Sequence, residues 1–268
     1  MEGAERTFVT RCSLAVRPFD IWTGTAPAPS SLQVTLEGIG RRPVRSSDGS
    51  YVFLDVPGGR RTLTIASAVY REVSEEIVFP EGGGAPTVLT LSLLPNRIYV
   101  PPAAGTGAIV ELRDTGGSPL AGAKIKAYID DEAAVRGRLA EDRNGGDGLR
   151  LKIAPGHGRL APGDAFVLMG RDGSEPEWNR MADWADQQNA ILLDRPLSGG
   201  WSRGARLLPA VRATSDASGT AILPFRGLLP AVCRIHAEIA AGERIWKTVW
   251  QAEGGRVSRI PAFTVGVS

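Results

Sequence analysis

The chain has 268 residues, of which 43% are hydrophobic, and its 31 basic and 29 acidic residues leave a net charge of +2. This length supplies enough apolar material for two ordinary domains, and the near balance of charge argues against nucleic acid as the main partner. Only two histidines and two cysteines are present, which leaves little material for catalytic triads, redox pairs or multi-ligand metal sites.

Glycine and proline punctuate the whole chain, with 33 and 19 residues, and do not concentrate in one tract. The segments between them alternate in hydrophobicity, which predicts many short strands and an all-β protein. The N-terminal residues lack the basic and apolar regions of a secretion signal, and no apolar run is long enough to cross a bilayer. We therefore expect a protein made in the cytoplasm, retained there or carried out within a released particle.

Residues 1–95 contain the first set of predicted strands. Phe8–Pro18 alternates and is predicted to be a strand that ends at Pro18. In Leu32–Glu37 the apolar side chains share one face. The segment Ser47–Ile65 contains an Asp-Gly turn, an alternating strand, the turn Pro57–Gly59 and a second alternating strand. This order predicts a β-hairpin within a small sandwich.

The residues around this segment carry a family resemblance. Phe19–Gly24 reads Phe-Asp-Ile-Trp-Thr-Gly, and Ser47–Gly59 reads Ser-Asp-Gly-Ser-Tyr-Val-Phe-Leu-Asp-Val-Pro-Gly-Gly. This order resembles the carboxypeptidase regulatory-like, or transthyretin-like, family of Ig-like β-sandwiches. The positions that match the family pattern are Gly49, Tyr51, Phe53, Val56, Pro57 and Gly59. The resemblance covers about residues 7–95 and implies a fold and not a chemistry.

Residues 96–107 contain Pro101-Pro102 and are predicted to be an interdomain linker. The remaining 108–268 begin as a second sandwich of the same kind, but its Asp-x-x-Gly-Thr-Ala turn appears only at Asp216–Ala221. We interpret residues 131–210 as an insertion, and their alternating segments predict a small β-barrel-like subdomain. Within it, 175–188 fits a strand, which we favour, but the spacing of its apolar residues also fits a helix.

Five tryptophans are the candidate interface or ligand contacts. Trp178, Trp184 and Trp201 lie in the insertion, and Trp246 and Trp250 are four residues apart in a predicted strand, so that they share one face. Tryptophan is favoured at interface hot spots and at sites where rings stack. Packing in a core is the alternative interpretation for each of them.

The other chemistry-bearing residues favour no site. His157 lies in a glycine-rich loop and His236 alternates in a predicted strand, so both are expected to face solvent. The acidic segment Asp142–Asp147 lacks the regular spacing of oxygen ligands in a calcium loop. We therefore predict no catalytic residue, no cofactor-binding residue and no metal ligand.

These features predict a non-enzymatic structural or adaptor protein that acts through protein–protein contacts, self-association included. Such modules in a cytoplasmic product are similar to accessory components of contractile phage-tail-like injection particles, and this resemblance implies a role in such an assembly. One alternative is a carbohydrate-binding or adhesive module that uses the tryptophans of the insertion. Another is a set of auxiliary domains for a separate hydrolase.

Overall fold

The computed structural model describes residues 10–82, 84–170, 175–186, 189–227 and 229–266. These residues form strands joined by turns, with two short 3-10 turns and no α-helix among them. The predicted all-β class is therefore confirmed. Within the same residues, no helical segment has the length and apolar character needed to cross a membrane.

The chain divides into two compact units, and the first comprises Met1–Asp20 and Thr25–Tyr99. Its strands are β1 (Cys12–Asp20), β2 (Gln33–Leu36), β3 (Val44–Arg45), β4 (Tyr51–Leu54), β5 (Gly59–Ala66), β6 (Val73–Phe79) and β7 (Thr87–Leu93). One sheet has the order β3-β4-β1-β7 and the other has the order β2-β5-β6. Leu14 and Phe53 of the first sheet share one core with Leu63 of the second. The two sheets therefore pack face to face.

The segment Ser47–Ile65 does not form the predicted hairpin. Strand β4 pairs with β1 and β3, whereas β5 pairs with β2 and β6, so the two strands lie in different sheets. Asp55 and Gly59 have positive φ angles of 45° and 121° in the connection between them. This connection carries the chain from one sheet to the other. Alternation predicts a strand, but it does not identify the neighbour of that strand.

The prediction that the first strand ends at Pro18 is also wrong, because β1 continues to Asp20. The pairing of β1 with β4 reaches only to Val16, whereas its pairing with β7 extends to Asp20. A proline lacks the N–H that a central strand needs, but it is tolerated where one side of the strand has lost its neighbour. The predicted start at Phe8 lies outside the described residues.

The second unit comprises Ile21–Gly24 and Val100–Ser268. Its strands are β8 (Thr106–Arg113), β9 (Lys124–Ile129), β10 (Gly137–Leu139), β11 (Arg150–Pro155), β12 (Ala165–Met169), β13 (Glu177–Asp186), β14 (Ala190–Leu193), β15 (Arg206–Thr214), β16 (Thr220–Phe225), β17 (Val232–Ala241), β18 (Arg244–Glu253), β19 (Val257–Arg259) and β20 (Phe263–Thr264). A nine-stranded sheet has the order β10-β11-β14-β13-β12-β15-β9-β17-β18, and β10 also pairs with β15. This extra pairing closes the strands from β10 to β15 into a ring, which we call the barrel.

The pairing pattern of the first unit recurs in the second. Strand β1 pairs antiparallel with β4 and parallel with β7, and β8 pairs antiparallel with β16 and parallel with β19. The order β2-β5-β6 is matched by β9-β17-β18. Asp48 accepts a hydrogen bond from the Ser50 N–H before β4, and Asp216 accepts one from the Ser218 N–H before β16. The transthyretin-like assignment of both units stays a prediction.

The ambiguous segment 175–188 contains β13, so its residues from Glu177 to Asp186 form a strand. Gln187 and Gln188 lie outside the described residues. The pairing of β13 with β14 shifts register between Met181 and Asp183 and again between Trp184 and Asp186. Each shift interrupts the two-residue alternation of the strand beyond Met181.

Candidate functional site

Two of the five candidate tryptophans lie in cores. Trp201 is 8% exposed and belongs to the barrel core, and its Nε1 donates a hydrogen bond of 2.8 Å to Glu177 Oε2. Trp250 is also buried, and its ring meets Phe263 edge-on with centroids 6.2 Å apart. Trp246 is half-buried on the same face of β18 as Trp250. Trp201 and Trp250 therefore pack in cores, whereas the candidate role of Trp246 stays a prediction.

Glu177 fixes the loop that leads to Trp201. It accepts hydrogen bonds from Ser198 N at 2.6 Å and from Gly199 N at 3.4 Å, besides the bond from the indole. Burial raises the pKa of Glu177, but these hydrogen bonds to the charged form outweigh burial and hold the pKa below its ordinary value of 4.5. Because the pKa of Glu177 is lower in the folded state, its hydrogen bonds stabilise the fold fully above pH 4.5. This stabilisation is lost as the pH falls through the folded-state pKa.

We expect Glu177→Gln to lower the thermal unfolding midpoint at neutral pH, with a difference from the parent chain that shrinks as the pH falls below the ordinary pKa of 4.5. Thermal scans at several pH values measure this difference. The control is Glu141→Gln, because Glu141 makes an exposed ion pair of 2.9 Å with Lys152, which contributes little to stability. A difference that stays constant from neutral to acid pH would contradict the assigned role of the carboxylate.

An aromatic row joins Trp178 of β13 to Tyr128 and His236 on the outward-facing side of β9 and β17. Trp178 meets Tyr128 edge-on at a centroid distance of 6.0 Å, and Tyr128 stacks on His236 at 5.1 Å. Lys126 Nζ and Arg212 Cζ lie 6.0 and 5.8 Å from the centre of the Trp178 indole ring. The row is half-buried, and cations flank its largest ring. His236 therefore packs against an aromatic ring.

The surface beside this row continues to the open edge of the sheet. We call the outward-facing side of β9, β17 and β18 the outer face. Its basic residues are Lys124, Lys126, Arg234 and Lys247. Glu238 lies between them and pairs with Lys126 Nζ at 3.3 Å. Ile245 and Val249 are 60% and 52% exposed at the edge of this face. The outer face thus carries more basic than acidic side chains, and its exposed aliphatic side chains, Ile245, Val249 and Val232, lie at its margin.

Strand β18 forms the end of the nine-stranded sheet, with β17 on one side and, in the described part of the chain, no strand on the other. Gly254 N donates to Ala231 O across the β17–β18 hairpin. Because successive N–H groups of a strand alternate in direction, those of Lys247, Val249 and Gln251 point away from β17. The same alternation applies to Glu253, whose N–H donates to Ser258 Oγ at 3.0 Å. The middle of β18 is an open strand edge.

A pocket of about 750 Å³ lies against the barrel and contains the remaining candidate tryptophan. We call it the barrel pocket. Trp184 lines it and is 43% exposed. The described residues that line it with Trp184 include Arg136, Arg159, Leu160 and Asn189. An aromatic ring, two guanidinium groups and an amide thus surround one concave space.

A charged cluster lies behind this pocket. A second cavity of about 30 Å³ shares Arg136 and Arg159 with it and extends to Asp164 and Arg226. The Asp164 carboxylate pairs with the Arg226 guanidinium and accepts a hydrogen bond of 2.8 Å from Ala161 N. Burial raises the pKa of Asp164, and Arg226 opposes that effect. Burial also lowers the pKa of Arg136. One arginine is therefore paired with the carboxylate, and the charge of a second, buried arginine acts on the same carboxylate without a direct ion pair.

Sequence reasoning missed Arg136, Arg159 and Asp164. The signal that could have found them is the glycine-rich loop Pro155–Gly158, where a Cβ atom on Gly158 would lie 1.9 Å from Arg136 Nη1. Glycine at this position lets the guanidinium lie directly over the backbone, where a Cβ atom would displace it. His157 in the same loop is exposed, as expected.

The acidic segment Asp142–Asp147 holds backbone in place. Among the residues of the described chain, no group of three or more His, Cys, Asp and Glu side chains could hold a metal ion. In the segment Asp142–Asp147, Asp142 accepts a hydrogen bond from Arg203 N at 2.6 Å and Asp147 accepts one from Asn144 N at 2.9 Å. Both carboxylates therefore order a turn.

No family model matches the chain, and no curated protein matches it. Among solved structures, the chain is similar to the Bacillus anthracis TIE protein, with 11% sequence identity and a TM-score of 0.26. The match covers 96% of this chain and 51% of that one, so the chain spans about half the length of the solved structure. A likeness at this level does not support a shared fold or function.

Proposed function

We propose that the chain is a non-catalytic adaptor that binds a partner protein through strand β18. The partner supplies an extended segment, which becomes the next strand of the nine-stranded sheet. The observation that carries this proposal is the open edge of β18, where the N–H groups of Lys247, Val249 and Gln251 point away from β17. Main-chain hydrogen bonds to such an edge provide affinity, and side chains on alternate positions provide specificity.

The charge of the outer face favours a partner segment with acidic side chains. Arg234 on β17 and Lys247 on β18 face outward, and the side chain of Lys247 is 74% exposed. Lysine on an edge strand discourages pairing between identical strands. The same lysine makes a long, exposed ion pair of 3.9 Å with Glu175, which contributes little, and it attracts a carboxylate on a segment of opposite charge. We therefore propose a different chain as the occupant and not a second copy of this one.

The assembly that we propose for this adaptor is a contractile phage-tail-like injection particle. This part of the proposal rests on the resemblance of the sequence alone. Membership of such a particle is tested by sedimenting native lysate and detecting the chain in the high-mass fraction. A chain that stays monomeric and free would overturn the assembly role. A hydrolase that copurifies with the chain, with no particle, would favour an auxiliary domain pair instead.

We expect Val249→Pro to remove the chain from the high-mass fraction. Proline lacks the N–H that points to the open side, so the partner strand loses a hydrogen bond while the pairing of β18 with β17 keeps its own donors. The matched control is Val249→Thr, which keeps the N–H and a β-branched side chain and is expected to sediment like the parent chain. Circular dichroism of both variants checks that the sheet is intact.

The outcome that would contradict the edge contact is equal sedimentation of a folded Val249→Pro variant and the parent chain.

A second control tests whether the partner binds at β18 and not at another exposed edge strand. Val78 is 63% exposed on β6, which is the edge strand of a sheet in the first unit. We expect Val249→Glu, but not Val78→Glu, to weaken association with an acidic partner, because only the first change places negative charge on the outer face.

A further inference from the structure

We infer that the barrel pocket binds a small ligand that carries a carboxylate or phosphate on a ring, as sugar acids and nucleotides do. This site is separate from the β18 edge, and it can be present or absent whatever the fate of the adaptor proposal. The shared chemistry of these ligands is one anionic group next to one flat or weakly polar ring face. The pocket offers a complementary surface for each part.

The anionic group is favoured by uncompensated positive charge at the inner side of the pocket. Arg136 is 5% exposed, and its guanidinium donates a hydrogen bond to the Arg226 carbonyl oxygen. Asp164 is the carboxylate that acts on Arg136, and it is already paired with the Arg226 side chain. A buried charge is costly when it is not matched by an opposite one. A bound anion would offset the charge that Asp164 leaves unmatched.

A second guanidinium lines the same pocket from its exposed side. Arg159 is exposed, and no ion pair or hydrogen bond joins its side chain to another residue of the described chain. Its five N–H donors are therefore open to a ligand. Arginine binds carboxylate and phosphate groups through two parallel hydrogen bonds. Arg159 is thus placed to bind the anionic group, with Arg136 supplying positive charge behind it.

The ring of the ligand is favoured by the rest of the lining. Trp184 keeps 43% of its surface exposed although it lines a concave site, and an indole face stacks well on sugar and base rings. Ile153 and Leu160 supply apolar surface, and Asn189 supplies an amide that can bind hydroxyl or ring-nitrogen groups. The volume of about 750 Å³ lies in the range of small-molecule sites, which is roughly 300–1,000 Å³.

The test is titration of the whole chain with glucuronic acid and with adenosine 5′-monophosphate. Glucose and adenosine serve as the matched neutral ligands. Tryptophan fluorescence reports on Trp184, and titration calorimetry measures affinity independently of it. We expect at least one acid to bind roughly tenfold more tightly than its neutral counterpart, since a hydrogen bond to a charged group contributes about that factor. Binding of glucuronic acid would identify sugar acids as the ligand class, and binding of adenosine 5′-monophosphate would identify nucleotides.

Two variants locate the binding. Arg159→Gln is expected to weaken the acid roughly tenfold and to leave the neutral ligand unchanged, whereas Trp184→Phe is expected to remove most of the fluorescence change. The control is Arg203→Gln, because Arg203 is exposed and does not line the pocket. The inference is overturned if neither acid binds, if the neutral ligands bind equally well, or if Arg159→Gln binds like the parent chain.

Discussion

Replacing Asp164 by alanine is expected to lower the free energy of unfolding of the second unit by about 3–5 kcal/mol. The Asp164 side chain is 15% exposed and pairs with an Arg226 side chain that is 21% exposed. Removal of the carboxylate leaves Arg226 without its ion pair and removes the negative charge that acts on the buried Arg136. It also removes the acceptor for the N–H of Ala161. Most of the loss comes from leaving buried arginine charge without a partner. The ion pair itself contributes little, because its Coulombic attraction is offset by the desolvation of both charges.

Chemical denaturation monitored by circular dichroism measures this loss. The control is Asp194→Ala, because Asp194 also pairs with an arginine, Arg180, but the two side chains are 34% and 36% exposed. Exposed pairs contribute at most about 1 kcal/mol. Similar losses for the two variants would show that Asp164 is solvated like a surface residue. That result would also weaken the electrostatic basis of the barrel pocket, since the uncompensated charge depends on burial.

The fold could be predicted where local chemistry decides the structure. The alternation in Tyr51–Leu54 and the Asp-Gly turn before it are local signals, and both are present in the structure. Sheet membership is decided by tertiary packing. The two strands within Ser47–Ile65 therefore appeared to be partners, although each pairs in a different sheet. Pro18 was misleading for the same reason, since the effect of a proline depends on which neighbours the strand has at that residue.

The candidate site was less accessible to sequence reasoning because residue type does not determine exposure. Trp201 and Trp184 lie in the same insertion, but one is 8% exposed and the other is 43% exposed. Arg136 was overlooked because arginine is rarely buried, and the carboxylate whose charge acts on it, Asp164, is distant in sequence. The open edge of β18 also depends on topology, since the sequence of an edge strand resembles that of a paired strand with an alternating pattern.

The second large effect is expected at the turn before β16, where Gly219 has a φ of +74°. A Cβ atom there would lie 2.3 Å from the Leu112 carbonyl oxygen of β8. Gly219→Ala therefore combines the strain of a left-handed residue with displacement of the adjacent strand backbone. We expect a loss of about 3 kcal/mol or more in the free energy of unfolding.

The matched control is Gly117→Ala, because Gly117 has a φ of +81° but no atom lies within 4 Å of its added Cβ. Only the backbone strain applies there, so we expect a loss of about 1–2 kcal/mol. Both glycines lie in turns of the second unit, and denaturation of the two variants under the same conditions isolates the steric part. The difference reports how tightly the turn is held against β8, since Gly219 also accepts the hydrogen bond of 2.8 Å from Leu112 N. Equal losses would mean that the turn moves away from β8 at little cost.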